Sequence, residues 1–194
     1  MAATRILLAE DNDLVALTLE EQLQGLGYEI VGIARTGTEA TELAARLHPD
    51  LIIMDFRMPE MDGSEAAARI NTHRSTPIIM LTAYTDRETI RKAELAGVMS
   101  YIVKPVNEAE LSPAINIALA RFREILALRS QVLELEESLE ARKIVERAKG
   151  ILMQRLGLSE REAYERLRQR ARDKRAKMRD IAQAIIEAEE LLST

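Results

Sequence analysis

The sequence predicts an α/β fold, an open parallel sheet with helices on both faces, followed by a long helix and a small all-α domain. Over roughly the first 120 residues, five short apolar runs rich in β-branched residues alternate with amphipathic segments, an order typical of successive βα units. After that region the chain reads almost continuously as helix. These two observations divide the chain into two functional parts.

The five apolar runs are the predicted strands. They are ILLA (Ile6–Ala9), EIVGI (Glu29–Ile33), LIIMD (Leu51–Asp55), PIIML (Pro77–Leu81) and SYIV (Ser100–Val103). Few charged residues interrupt them, as expected of strands that are buried on both faces. The segments between them, such as LVALTLEEQLQGLG and GTEATELAARLH, have the helical period and are long enough for right-handed crossovers.

Composition limits the class of protein. The chain has 194 residues, of which 47% are hydrophobic, enough for one packed domain and a smaller second one. No apolar run approaches the roughly 18 residues of a membrane span, and Met1 to Glu10 lacks the pattern of a signal peptide. Cysteine is absent, which excludes disulfides and cysteine metal sites. A cytoplasmic protein is expected.

Charge is distributed unevenly. Residues 142–179 contain 14 Lys and Arg against 5 Asp and Glu, whereas the rest of the chain contains 13 against 27. The run RLRQRARDKRAKMR, Arg166 to Arg179, is basic at eight of its fourteen positions. A solvated helix face is the simple interpretation of such a run. The contrast with an acidic remainder favours a polyanionic partner.

Polar side chains stand where four of the predicted strands end. Glu10 and Asp11 follow the first strand, Asp55 closes the third, and Thr82 and Lys104 follow the fourth and fifth. The carboxyl ends of parallel strands share one edge of a sheet, so these groups are expected to meet there. Crowded carboxylates favour a hard cation such as Mg²⁺. Asp55 could then accept a phosphoryl group as a nucleophile, while Lys104 and Thr82 hold its oxygens.

Each of these residues also has a simpler interpretation. Asp11, Asn12 or Asp13 could cap the first helix. Asp55 could be a turn residue and Lys104 a solvated charge. Five suitable groups at four strand ends of one sheet favour the phosphoryl site over these separate alternatives.

The same residues resemble a known family. The matching segments are Glu10-Asp11, MDFRMPEMDG (Met54–Gly63), Thr82-Ala83, Tyr101 and Lys104-Pro105. In order and spacing they resemble the receiver domain of two-component response regulators, over about residues 3 to 121. The resemblance implies a flavodoxin-like strand order and a cis peptide bond before Pro105.

The resemblance also implies a role for each site residue. Asp55 would be the phosphoacceptor for a sensor histidine kinase, with Glu10, Asp11 and Asp55 around Mg²⁺. Lys104 would pair with the phosphate, and Thr82 and Tyr101 would be the switch residues. Glu10 stands where many receivers have Asp, and its longer side chain is expected to reach the metal through water.

A long connecting helix is predicted after the receiver region. The chain reads as helix from about Glu108 to Gly157, with Pro113 near its start, where a first-turn proline is tolerated. Apolar residues recur at the 3-4 spacing of a coiled-coil seam. They are Ile125, Leu128, Val132, Leu135 and Leu139. Flanking glutamates favour an exposed connector that pairs with another chain, and a single helix lying on a domain surface is the alternative.

The remaining residues predict three helices. Ile144, Ala148, Ile151, Leu152 and Leu156 form one apolar stripe, and Gly157 ends that helix. Ser159 and Glu162 form a capping box that starts the second helix. Its inward residues are expected to be Ala163, Tyr164, Leu167 and Ala171, with a turn around Asp173. The last helix is expected to bury Met178, Ile181, Ala182, Ile185 and Ala188.

This region resembles a second family. The segment Ala141–Ile186 resembles the ANTAR domain, a three-helix RNA-binding unit of transcription antiterminators. The matching positions are Ala148-Lys149-Gly150, Leu152-Met153, Ala163-Tyr164, Leu167-Arg168, Ala171 and Ile181-Ala182. The predicted boundaries are therefore 1–121 for the receiver, 122–140 for the coiled-coil linker and 141–194 for the ANTAR domain.

The resemblance implies that the partner is paired stem-loops in nascent leader RNA. The basic run would contact RNA phosphates. The candidate contacts are Lys149, Arg168, Lys174, Arg175 and Lys177. Gly150 in mid-helix costs about 1 kcal/mol relative to alanine, which predicts close approach there by a neighbouring helix or by RNA.

The sequence thus predicts a response regulator phosphorylated on Asp55, which dimerises through the linker helix and binds leader RNA to cause transcription antitermination. A phosphorylation-controlled factor that binds duplex DNA is the alternative. An enzyme acting on phosphate esters is disfavoured, because His48 and His73 lie away from the strand ends and no general base stands there.

Overall fold

The computed structural model describes residues 3–83 and 96–192. The chain divides into two compact units, Met1–Leu126 and Ala127–Thr194. Within the described residues, no helix combines the length and the apolar character that a membrane span requires. The predicted domain boundaries at 121/122 and 140/141 stay predictions.

The secondary structure follows the predicted alternation. The strands are β1 (Arg5–Ala9), β2 (Glu29–Ala34), β3 (Leu51–Asp55), β4 (Ile78–Thr82) and β5 (Ser100–Val103). The helices are α1 (Asp13–Gly25), α2 (Gly37–Leu47), α3 (Gly63–His73), α4 (Glu108–Leu156), α5 (Glu160–Lys174) and α6 (Met178–Leu192). Each predicted strand is present, with ends shifted by at most one residue. The helix of the βα unit that follows β4 lies outside the described residues.

The sheet is parallel throughout, in the order β2-β1-β3-β4-β5. This order confirms the flavodoxin-like prediction. The Lys104–Pro105 peptide bond is cis, as predicted. Because all five strands run the same way, their carboxyl ends lie along one edge of the sheet.

Two apolar layers enclose the sheet. Along β1, Leu7 and Ala9 contribute to the layer with α2 and α3, whereas Ile6 and Leu8 contribute to the layer with α1 and the start of α4. Successive side chains of a strand point to opposite faces, so both sets are buried. This explains why the strands read as unbroken apolar runs.

Helix α4 begins at Glu108, and Asn107 caps it by accepting a hydrogen bond from the Ala109 N–H (3.1 Å). Pro113 therefore falls in the second turn and not in the first, where the sequence had placed it. A proline there removes one backbone hydrogen bond. The helix nevertheless continues to Leu156.

The C-terminal unit has a small core of its own. It consists of Ala148, Leu167, Ala171, Ile181, Ala182 and Ile186. The predicted capping box is present, since the Ser159 side chain accepts from the Glu162 N–H and the Glu162 carboxylate accepts from the Ser159 N–H. Gly157 ends α4 with a positive φ of 65°, a conformation that glycine adopts without strain.

Candidate functional site

Three predicted carboxylates meet at the carboxyl edge of the sheet. Glu10 follows β1, Asp11 is the next residue, and Asp55 is the last residue of the neighbouring strand β3. One oxygen from each lies within 4.8 Å of the others. Glu10 and Asp55 are buried and Asp11 is exposed. The cluster is therefore open to solvent on the Asp11 side.

Lys104 joins this cluster from the end of β5. Its Nζ donates to Glu10 Oε2 at 2.7 Å and to Asp55 Oδ2 at 2.8 Å. The backbone N–H of Lys104 also donates to the carbonyl oxygen of Thr82 (2.8 Å), which holds the loop against β4. The structure thus brings four of the predicted site residues into one pocket.

The pocket perturbs its own ionisable groups. Burial raises the pKa of Glu10, and the nearby charge of Asp55 adds to that shift, while the hydrogen bond from Lys104 opposes it. Burial alone would lower the pKa of Lys104, but hydrogen bonds to Asp55 and Glu10 outweigh it and raise the pKa. Lys104 therefore stays charged, and the carboxylates are short of positive charge.

This donor set suits Mg²⁺. Three carboxylates and one ammonium group leave a net charge of −2, which a divalent cation would neutralise. Carboxylate oxygens are the ligands that Mg²⁺ prefers in proteins. Glu10, Asp11 and Asp55 are the residues that would hold it.

The loop after Asp55 packs closely against the strand end. A Cβ atom at Gly63 would lie 2.2 Å from the backbone oxygen of Asp55, so only glycine fits there. The Gly63 N–H donates to the carbonyl oxygen of Phe56 (2.8 Å), and Asp62 caps α3 by accepting from the Glu65 N–H. These contacts of Asp62 and Gly63 hold the loop that follows Asp55.

The two predicted switch residues lie on β4 and β5. Thr82 is 3% exposed and follows Leu81, which pairs with Asp55 across the sheet. Tyr101 is 48% exposed and pairs with Met80. One switch side chain is therefore buried beside the pocket, and the other is accessible on the last strand of the sheet.

Arg35 is a site residue that the sequence did not reveal. Its Nη1 donates to the backbone oxygen of Glu10 (2.9 Å), and its Nη2 lies 2.7 Å from Asp13 Oδ1. Pairing of Ala9 with Ala34 brings the end of β2 beside the loop after β1. Arg35 thereby braces the loop that carries two of the three carboxylates. Arg35 and Asp13 are 22 residues apart in the sequence. Their contact could be predicted only by knowing that β1 and β2 are neighbours in the sheet.

The structure corrects several expectations in the C-terminal unit. Tyr164 is 42% exposed and Leu156 50% exposed, and Ala188 is also exposed, although all three were expected inside. The buried positions of α5 are Ala163, Leu167 and Ala171, and those of α6 are Ile181, Ala182 and Ile186. Helix α5 continues past Asp173 to Lys174, and Arg175 caps it in the left-handed conformation (φ 51°).

Lys149 differs from the other predicted RNA contacts. It is 6% exposed, and its Nζ lies 2.8 Å from Glu160 Oε1 and 2.9 Å from Glu146 Oε2. Hydrogen bonds to Glu160 and Glu146 raise the pKa of Lys149. This cation joins α4 to the first turn of α5. Its placement argues against the expected contact with RNA phosphate, because two carboxylates already occupy its donors.

Gly150 has open space around it. A Cβ atom there would meet no atom of the described residues within 4 Å, apart from its own helix and immediate chain neighbours. Close packing of a neighbouring helix in the same chain therefore does not account for this mid-helix glycine. Close approach of RNA at Gly150 stays a prediction.

The other predicted contacts lie on the surface. Arg168, Lys174, Arg175 and Lys177 are all exposed. Arg168 lies 3.7 Å from Glu165 at a solvated position, where an ion pair contributes little. These four cations are available to a polyanion.

Comparison with known families agrees with both parts of the fold and site. The fold and the acidic pocket are those of a response regulator receiver. Residues 6–116 match the model of the response regulator receiver domain. Residues 133–186 match the model of the ANTAR domain. The chain belongs to the response regulators that combine a receiver domain with an ANTAR domain.

Individual relatives agree with this assignment. The transcriptional regulatory protein PdtaR of Mycobacterium tuberculosis is 46% identical over 183 residues, which cover 94% of this chain and 89% of that protein. The regulatory protein AtoC of Escherichia coli is 34% identical over 71% of this chain and 29% of its own length. The signal receiver domain of a modulated diguanylate cyclase from Desulfovibrio desulfuricans superposes with a TM-score of 0.59 at 34% identity, covering 63% of this chain and 98% of that one.

The domain pair defines the general function. Receiver domains are controlled by phosphorylation and bind Mg²⁺ at an acidic pocket, and ANTAR domains bind RNA. The chain is thus a phosphorylation-controlled regulator with an RNA-binding domain, and the family is one of regulators.

Proposed function

We propose that a sensor histidine kinase phosphorylates Asp55, that phosphorylation favours a homodimer through α4, and that the paired ANTAR units bind stem-loops in nascent leader RNA and prevent a terminator from forming. The observation that carries this proposal is a buried acceptor carboxylate in one unit and a set of exposed cations in the other. Helix α4 belongs to both units.

Asp55 is the nucleophile of the phosphoryl transfer. One of its carboxylate oxygens attacks phosphorus, the bond between phosphorus and the donor imidazole nitrogen breaks, and that nitrogen takes up a proton. Lys104, already 2.8 Å from Asp55 Oδ2, pairs with the new phosphoryl oxygens. Bound Mg²⁺ supplies positive charge that offsets the charge of the phosphoryl group.

Thr82 and Tyr101 transmit the change. The Thr82 hydroxyl, beside the acceptor at the end of β4, binds a phosphoryl oxygen. Tyr101, about half exposed on the next strand, then changes its packing. The added charge in the pocket thereby changes the surface of the receiver around Tyr101.

The dimer forms along the seam of α4. Leu128, Val132, Leu135 and Leu139 are each more than half exposed in the single chain. In a coiled coil, a β-branched residue at one of the two seam positions and leucine at the other favour a parallel pair of helices. Here Val132 alternates with Leu128 and Leu135 along the seam. An exposed leucine stripe of this kind is stabilised by a second copy.

Replacing both Val132 and Leu135 with Asp tests the dimer. Buried, unpaired carboxylates in an apolar seam are costly, so sizing after treatment with a small phosphodonor and Mg²⁺ should show a monomer that is still labelled on Asp55. Leu126→Asp with Leu133→Asp adds the same charge off the seam and should leave the dimer intact. A dimer that survives the seam substitutions would place the interface elsewhere.

Arg168, Lys174, Arg175 and Lys177 contact RNA phosphates in this proposal. Joint replacement of the four by alanine should weaken binding strongly and flatten the dependence of log affinity on log salt by about two units or more. Asp55 labelling and dimerisation should stay near wild type. Unchanged affinity and slope would make this run a solvated helix face.

The deciding experiment is a gel shift with a stem-loop RNA and a duplex DNA of equal length, before and after phosphorylation. Preference for the RNA that increases with phosphorylation supports the proposal. Preference for the duplex DNA would favour the alternative, a phosphorylation-controlled DNA-binding factor, in which a helix of the basic unit enters the major groove.

A further inference from the structure

A groove of about 600 Å³ runs along α5 in the C-terminal unit. Its apolar part is lined by side chains of α4 and α6, among them Leu152, Leu156, Ile181 and Ile185. Leu156 is 50% exposed, and Leu152 and Ile185 are only partly buried. The unit therefore leaves aliphatic surface open in a concave site, of a volume typical of small-ligand pockets.

Cations line the opposite edge of this groove. Arg166, Arg170 and Lys174 follow one another at intervals of four residues, so they lie along one side of α5. No carboxylate of the described residues lies within ion-pair distance of these three side chains. The carboxylate of Asp173, which also lines the groove, accepts a hydrogen bond from Gln169 at 2.8 Å.

Three cations of α4 differ from these, because each is paired with a carboxylate. Arg147 pairs with Glu190 at 2.9 Å, Arg155 pairs with Glu189 at 2.6 Å, and Lys149 is bound by two glutamates. Uncompensated positive charge in this unit is therefore concentrated on α5 and the turn after it. The groove combines that charge with open apolar surface.

We propose that this groove binds one unpaired nucleotide of an RNA loop, with the base against the aliphatic side chains and the flanking phosphates on Arg166, Arg170 and Lys174. The inference rests on the proposed RNA-binding function and names the part of the RNA that the unit recognises. Unpaired loop bases can be splayed out and stacked on apolar surface or on a guanidinium plane, whereas bases in a duplex are already stacked. The groove thus favours a hairpin loop over a paired stem.

The groove residues can be tested apart from the other RNA contacts. Arg168 lies on a different side of α5, because two residues along a helix turn through about 200°. Arg161 and Arg172 are exposed on the same helix and do not line the groove. They provide a control that removes the same charge from the same element.

The experiment uses the full-length chain and RNA hairpins with one fixed stem and a loop of randomised nucleotides, compared with a loopless duplex of that stem. Arg166→Gln with Arg170→Gln should weaken hairpin binding and reduce the salt slope by about one to two units. Leu156→Gln keeps the charge and should reduce the preference for hairpin over duplex about tenfold with the slope unchanged. Arg161→Gln with Arg172→Gln should change neither quantity appreciably. Photocross-linking from loop thiouridine should map to groove residues.

Each other outcome overturns the inference. If the two double variants lose affinity equally, net charge alone decides binding. If Leu156→Gln keeps the hairpin preference, or the cross-links map to Arg168, Arg175 and Lys177, the base lies elsewhere. If the groove variants change dimer size and not RNA affinity, the groove binds a second copy. Wild-type chain that binds no hairpin at all would refute the proposed function itself.

Discussion

Lys104 in the receiver pocket and Lys149 in the ANTAR unit are bound in nearly the same way. Each ammonium group is held by two carboxylates, at 2.7 and 2.8 Å for Lys104 and at 2.8 and 2.9 Å for Lys149. The pKa of each lysine is raised by these hydrogen bonds. From the lysines alone, the two sites could not be told apart.

Their carboxylate partners separate them. Glu10 and Asp55 are buried on adjacent strands, and Asp11 adds a third carboxylate, so one lysine leaves the pocket short of positive charge. Glu146 and Glu160 are more than half exposed on two helices, where water solvates them. Lys104 therefore lies in a buried, crowded acidic pocket, whereas Lys149 lies between solvated glutamates and links α4 to α5.

The largest expected effect comes from Asp55→Asn, which removes the proposed nucleophile and keeps the shape of the side chain. We expect no acid-labile phosphoryl adduct from a small phosphodonor and Mg²⁺, with the fold retained, since Lys104 keeps Glu10 as a partner. Mass spectrometry of the intact chain measures the adduct. Asp50→Asn, an exposed carboxylate in the same unit, should label normally. Undiminished labelling of the Asp55 variant would show that Asp55 is not the phosphoacceptor.

The two lysines should respond differently to replacement by alanine. Lys104→Ala leaves two buried carboxylates without their cation, so the apo protein should melt earlier and regain more stability from Mg²⁺ than wild type does. Its Asp55 should still be labelled, but labelling should no longer change assembly or RNA affinity.

Lys149→Ala should lower the melting temperature of the ANTAR unit by a few degrees, because the link from α4 to α5 is lost. Labelling of Asp55 and the salt slope of RNA binding should not change. Thermal unfolding with and without Mg²⁺ checks both variants. If Lys149→Ala reduced the dependence of log RNA affinity on log salt, Lys149 would be a contact to RNA phosphate.

The receiver pocket could be predicted from the sequence because strand ends are local signals. Each apolar run ends at a recognisable polar residue, and parallel strands carry those ends to one edge. Residue type and position along the chain were thus enough for Glu10, Asp55 and Lys104. Arg35 could not be found in this way, because its contact with Asp13 depends on which strands are neighbours.

The ANTAR unit was less predictable for a physical reason. Its helices were identified from period and caps, but the direction of each side chain depends on how three short helices pack. Tyr164 follows a buried alanine yet points toward solvent, and Lys149 lies in a basic region yet is buried. Both outcomes are set by tertiary contacts, which helical spacing alone does not contain.

The smallest expected effect is a difference in pH dependence between the two units. Hydrogen bonds from Ser159 lower the pKa of Glu162 below its ordinary value of 4.5, so its stabilising effect is present above that value and is lost as pH falls through the folded pKa. Burial raises the pKa of Glu10, so its contribution has the opposite sign and is lost as pH rises through the raised pKa. In chelator-treated buffer, Glu162→Gln should melt earlier than wild type near neutral pH, with a difference that shrinks on acidification. The melting temperature of Glu10→Gln should increase relative to that of wild type as pH rises. The difference in melting temperature from wild type could instead change with pH in the same direction for both variants. The two carboxylates would then be in the same kind of environment, and the distinction between the receiver pocket and the helical link would not hold.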